Sequence, residues 1–121
     1  MQTFVPVIEG SSTVGVGTYT LQTASYQQVG NVIHFHLSVV TTAHTGTGNI
    51  KISGFPRFPV GQNAVTYSGF DVGGLVAGDI PLGSVDASRK LTVFKNNAGA
   101  TNFVVIQGVM SINVSGSYFV Q

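Results

Sequence analysis

Residues 31–41, NVIHFHLSVVT, change character at almost every step. Ile33, Phe35, Leu37 and Val39 fall on one side of an extended backbone, and Val32, His34, His36, Ser38 and Val40 on the other. A period of two marks a β-strand with one face in a core; a helix would scatter the same apolar set around its circumference. Gly30-Asn31 stands directly before this run and has the character of a tight two-residue hairpin turn. Upstream, residues 18–28 (TYTLQTASYQQ) are rich in Tyr and Thr and alternate in part, as half-buried strands do. Together they predict an antiparallel hairpin. Residues 111–121 repeat the pattern, with Ile112, Val114, Gly116 and Tyr118 on one face and Asn113, Ser115, Ser117 and Phe119 on the other.

The rest of the chain is punctuated in the same style. Sixteen glycines and four prolines separate short β-like runs, and no helical period emerges. Strands are expected over residues 3–8 (with Pro6 indicating an edge), 48–53, 64–70, 75–76, 80–85, 91–95 and 103–109, the last pairing with 111–120. Residues 54–59, GFPRFP, cannot lie in a central strand, since Pro56 and Pro59 lack the amide hydrogen. This segment reads as an extended loop with Phe55 and Phe58 tucked against the core. Residues 96–102, NNAGATN, read as a turn-rich connector. About eight to ten short strands at this spacing argue for an antiparallel sandwich or barrel. A length of 121 residues suits one domain, residues 1–121.

Charge is scarce. Only 7% of residues are charged, where an ordinary globular domain has about 25%. A net charge of +1 gives no electrostatic reason to bind nucleic acid or an anionic membrane. Two explanations compete for a surface of Ser, Thr, Asn, Gln and Gly: sister subunits cover it, or it faces a neutral polar ligand such as a glycan. There is no cysteine, so neither a disulfide framework nor a thiolate metal site is available. No apolar run approaches the ~20 residues of a membrane helix, and MQTFVPVIEG has no Sec-signal character. Met1 opens almost directly onto a strand, which suggests a domain excised from a longer chain or made from an internal start.

Catalytic machinery is not expected. The acidic residues are Glu9, Asp71, Asp79 and Asp86, with no spacing that demands the carboxylate pair of a glycosidase. No Gly-X-Ser-X-Gly elbow is present, and no helix follows Gly15-Val16-Gly17 or Gly46-Thr47-Gly48 to make a phosphate loop. His34 and His36 project from one strand face, where two imidazoles are too few for a metal within one chain. Copies around a three-fold axis would bring enough nitrogens for an octahedral ion; otherwise they are interface or half-exposed histidines without metal. No cofactor is expected. His44, in the Thr/Gly loop, is expected in solvent.

Glycan binding needs aromatic platforms flanked by amides and carboxylates. Loop candidates are Phe55, Arg57, Phe58, Tyr67, Phe70, Asp71, Asn96, Asn97 and Asn102; the alternative is that the aromatics plug the core or an interface and the asparagines form turns. Interface candidates are the uncharged face of Val32, His34, His36, Ser38 and Val40, and the face of Asn113, Ser115, Ser117 and Phe119. Obligate interfaces are depleted in charge, as this chain is.

The order of turns within residues 24–60 carries a resemblance. Tyr26, then Gly30-Asn31, an alternating strand, Gly46-Thr47-Gly48, another strand and Ser53-Gly54-Phe55-Pro56 are similar to the C-terminal jelly-roll domains of bacteriophage tail fibres and tailspikes. The resemblance implies an all-β, antiparallel jelly-roll-like sandwich that forms a homotrimer. It further implies a place at the virion's tail-fibre or tailspike tip, extracellular after release. The implied tasks are holding three chains in register and meeting the host surface, above all its polysaccharide. A capsid-decorating or other viral structural protein, and a stand-alone carbohydrate-binding module, are the alternatives.

Overall fold

The Gly30-Asn31 turn is the hinge of the longest hairpin. Gly30 has φ +58° while Asn31 stays at negative φ, the pattern of a II′ turn, whose twist matches that of the flanking strands. It joins β3 (Gly17–Val29) to β4 (Val32–His44), and Val29 faces Val32 directly across it. The computed structural model describes residues 2–56, 63–64, 66–72, 80–86, 88–97 and 99–120, with residues 63–64, 66–72, 80–82, 97, 101 and 103 described by backbone alone.

Among the described residues the strands form two antiparallel sheets. The first has the order β1-β3-β4-β11-β7, with β1 at Gln2–Thr3, β7 at Thr66–Val72 and β11 at Met110–Phe119. The second has the order β2-β5-β9-β8-β6, formed by β2 (Val7–Gly10), β5 (Ile50–Ser53), β9 (Leu91–Asn97), β8 (Ile80–Val85) and β6 (Asn63–Ala64). Strand β10 (Ala100–Phe103) pairs with the far end of β9. The chain crosses repeatedly from one sheet to the other, and the expected all-β antiparallel sandwich is what results.

The alternation read from the sequence becomes the core. Ile33, Phe35, Leu37 and Val39 of β4 and Ile112, Val114 and Tyr118 of β11 are buried. They meet Ile8, Ile50, Ile52, Val85, Leu91 and Val93 from the second sheet. Phe55 closes one end, with ring centroids 5.0 Å from Phe35, 5.2 Å from Phe4 and 5.8 Å from Tyr118.

Three expectations are corrected. Residues 3–8 are not one strand: β1 pairs with β3 and β2 with β5, and the chain changes sheets around Pro6, which has no amide for a ladder. Residues 103–109 do not form a strand paired with 111–120. The segment instead bonds to several neighbours, with Val104 N–H to the Val93 carbonyl at 3.2 Å and Ile106 N–H to the Gly48 carbonyl at 2.8 Å. That leaves β11 free to lie between β4 and β7. The 96–102 connector is a hairpin, with Asn97 opposite Ala100. The expected strand at 75–76 lies outside the described residues.

Candidate functional site: an uncharged sheet face

β3, β4 and β11 run side by side, so their outward residues form rows across the first sheet. The pairing fixes those rows: Val29–Val32–Phe119, Gln27–His34–Ser117, Ser25–His36–Ser115, Thr23–Ser38–Asn113 and Leu21–Val40–Ser111. The two interface candidates read separately from β4 and β11 are thus a single continuous face. Its end rows are mainly apolar and its middle rows polar. Phe119 is 60% exposed, Val29 58% and Leu21 42%, so sizeable apolar groups stand in solvent.

The polar rows are tied together across strands. The His36 Nδ1 atom lies 2.6 Å from Ser115 Oγ, and the Ser38 hydroxyl donates to Asn113 Oδ1. Ser25, Gln27, His34 and His36 edge a shallow depression of about 170 Å³. Tyr26 and Phe35 complete a lining that is largely apolar, with imidazole, amide and hydroxyl groups able to donate and to accept hydrogen bonds.

None of the residues in these rows is a Lys, Arg, Asp or Glu. Every charged side chain that is described belongs elsewhere: Glu9 on β2, Lys51 on β5, Lys95 on β9, and Asp86, Arg89 and Lys90 in the connection from β8 to β9. The Lys90 ammonium is 2.8 Å from Glu9 Oε2, and Lys51 Nζ is 3.9 Å from Asp86 Oδ2. The described charged side chains thus lie on the second sheet and its turns, while Asp71, described by backbone alone, lies on β7 of the first sheet opposite Asn113.

The glycan candidates do not converge on one described site. Phe55 is 1% exposed and packed among Phe4, Phe35 and Tyr118, so burial removes its ring from any surface platform. Arg57 and Phe58 lie outside the described residues. Tyr67, Phe70 and Asp71 lie on β7 and are described by backbone only, opposite Gly116, Val114 and Asn113 of β11. Asn96, Asn97 and Asn102 do come together in the β9–β10 hairpin, where Asn96 pairs with Thr101 and Asn102 with Lys95. Asn102 is exposed there.

His44 is a correction. It is half-buried at the end of β4, where Gly46 N–H donates to its Nδ1 at 2.9 Å; Nε2 then carries the proton and donates to the Ile8 carbonyl at 2.7 Å. It is a strut from the end of β4 to β2, not a solvent group. Among the described residues no cluster of three or more His, Cys, Asp or Glu side chains could hold a metal ion.

Sequence reasoning missed the β3 contribution of Leu21, Thr23, Ser25, Gln27 and Val29. A signal was present. A two-residue turn at Gly30-Asn31 forces Val29 opposite Val32, and the other β3 residues on that side follow in steps of two.

No family model matches the chain, and no curated protein sequence matches it. Among solved structures, the Dettilon tailspike protein (gp208) is similar, with a TM-score of 0.67 and 22% sequence identity over 97% of this chain. The match takes in 23% of the tailspike chain, so the present sequence spans less than a quarter of that protein's length. At this level of identity the likeness speaks for the fold: the chain has the β-sandwich architecture of one part of a phage tailspike.

Proposed function

We propose that this chain is a non-enzymatic structural domain of a virion tail fibre or tailspike, assembled as a homotrimer and in contact with host surface polysaccharide. The observation that carries the reading is an exposed sheet face, uncharged along its β3, β4 and β11 rows, on a sandwich whose fold is also found in a tailspike. A face without charge loses little on leaving water, which favours assembly, and tail proteins work outside the cell once the virion is released. The described carboxylates are engaged elsewhere, which supports a role without catalysis. Glu9 is ion-paired with Lys90, and Asp86 accepts backbone N–H groups from Ser88 at 2.8 Å and Lys90 at 3.2 Å. For glycan contact the support is the β9–β10 hairpin, whose Asn96 and Asn102 amides match the neutral donors and acceptors of a sugar.

Light scattering on the purified chain tests the assembly. A trimer of a 12.6 kDa chain has a mass of about 38 kDa, and a 12.6 kDa species at every concentration overturns the reading. Incubation with host polysaccharide tests the rest. Retention without loss of viscosity is expected, and a fall in viscosity contradicts the non-enzymatic role. Asn102→Ala should weaken retention by about five- to ten-fold, the worth of one hydrogen bond.

A further inference from the structure

We infer that residues 2–5 are an exchangeable strand. The edge of β3 at Ala24–Tyr26 and the aromatic socket beside it form a site for an extended Gln-Thr-Phe segment, filled by the chain's own residues and open to the same segment of a second copy. The inference does not rest on the homotrimer reading, since two copies can trade a strand whatever the native mass.

The attachment of this segment is slight. Among the described residues β1 pairs only Gln2 with Tyr26 and Thr3 with Ser25, and Phe4 N–H adds one bond to the Ala24 carbonyl at 3.2 Å. The Tyr26 hydroxyl donates to Gln2 Oε1. Gln2, Thr3 and Val5 are exposed, so Phe4 is the one side chain of the segment that packs against the core. Elements with short ladders and few buried contacts are the first to open. Opening leaves the rest of the sandwich in place. β3 is paired with β4 from Gly17 to Val29, and buried Pro6 stays tied to β3 because Gln22 Nε2 donates to its carbonyl at 2.8 Å.

What opening uncovers is specific. The Phe4 ring lies 5.2 Å from Phe55 and 6.1 Å from Tyr26, so its departure empties an apolar socket lined by two aromatic rings. The Ala24 carbonyl and the β3 edge at Ser25 and Tyr26 lose their partners at the same time. Unpaired backbone groups next to a side-chain socket are what strand addition uses: main-chain bonds supply affinity, and the socket selects the side chain.

The occupant that satisfies both is Gln2-Thr3-Phe4 itself, and a second copy carries it by identity. Exchange of an identical element between copies requires no new contact within the site. The hinge suits exchange as well. Val5 precedes Pro6, and a residue before proline is held extended, which points the segment away from its own sheet as readily as along it. Four residues reach about 13 Å from Pro6, so copies exchange with their β3 edges side by side.

The chain has no native cysteine, so single-cysteine variants report the exchange directly. Thr3 and Ser25 are register partners, with Cβ atoms about 4.5–5.5 Å apart in an antiparallel pair, close enough for a disulfide after small adjustment. When Thr3→Cys and Ser25→Cys are carried by different copies, that disulfide forms only if β1 of one copy lies on β3 of the other. Under mild oxidation the mixture should give a linked heterodimer in about ten-fold excess over a mixture of Thr3→Cys with Asn102→Cys, whose cysteines have no register to bring them together. An excess of the free peptide QTFVPV should suppress the product, and the same peptide with Phe4→Ala should not. A yield no higher than the control, or a product that neither peptide affects, overturns the exchange. Equal suppression by both peptides overturns the socket. Light scattering on the unsubstituted chain reads the homotrimer separately, so either reading can fail without the other.

Discussion

Two buried residues show why a polar atom and an aromatic ring can both belong in this core. Thr41 has no exposed surface, yet its hydroxyl donates to the Gly108 carbonyl at 3.0 Å and accepts the Met110 amide at 3.1 Å. It thereby fixes where β11 begins. Thr41→Val keeps the shape and strands both backbone groups, so a loss of about 1–3 kcal/mol is expected in urea unfolding. A change of only a few tenths would mean that water replaces the hydroxyl. Phe55 fills the end of the core with a ring edge-on to Phe35 at an interplanar angle of 90°. Phe55→Ala should cost about 3–5 kcal/mol, read in the same experiment, because a large buried ring leaves a cavity. Near-wild-type stability together with lost polysaccharide retention would return Phe55 to the surface role first assigned to it.

At the scale of elements, glycines decide where strands may turn. Gly54 follows β5 with φ +104°, and a Cβ built there would lie 2.2 Å from the Val5 carbonyl oxygen. Gly54→Ala therefore combines about 1–3 kcal/mol of backbone strain with a steric clash against main chain, which has little room to yield. The expected result is a clear drop in melting temperature, and an unchanged one would mean that the β5 exit is built differently. The β3–β4 hairpin carries its own irregularity. Its register slips on both sides of Tyr19, at the end away from the Gly30-Asn31 turn, so the alternation of β4 ends at Thr41 even though the strand continues to His44. The bulges turn the end of the hairpin, and there His44 reaches the Ile8 carbonyl on the other sheet.

For the molecule as a whole, the uncharged outer face of β3, β4 and β11 is the property with the widest consequences. The second sheet has its ion pairs; the β3, β4 and β11 rows of the first carry no charged residue and end in apolar groups. An assembly held by such a face has little electrostatic energy for salt to screen. If the chain assembles as proposed, the mass of that assembly should stay constant from about 0.05 to 1 M salt, a range over which the screening length falls several-fold. Dissociation at high salt would point instead to contacts through the charged sheet. The central placement of β11 matters too. It pairs with β4 and β7 and comes last among the described strands, so the first sheet is complete only once residues 110–119 dock.

The sequence alone determined which residues face inward. The alternation in β4 and β11 and the Gly30-Asn31 turn are local facts, and side-chain direction in a strand follows from backbone geometry without reference to partners. The all-β class and the tight hairpin at Gly30-Asn31 were legible for that reason, as was the uncharged character of the outer sides of β4 and β11. Tertiary structure decided which strands are neighbours. Nothing within residues 110–119 says that β11 inserts beside a strand far earlier in the chain, because long-range pairing depends on how the whole apolar set packs. The same holds for Pro6, where the chain changes sheets, and for the merging of two candidate faces into one. A sheet face belongs to several strands at once, and only their adjacency makes it a surface.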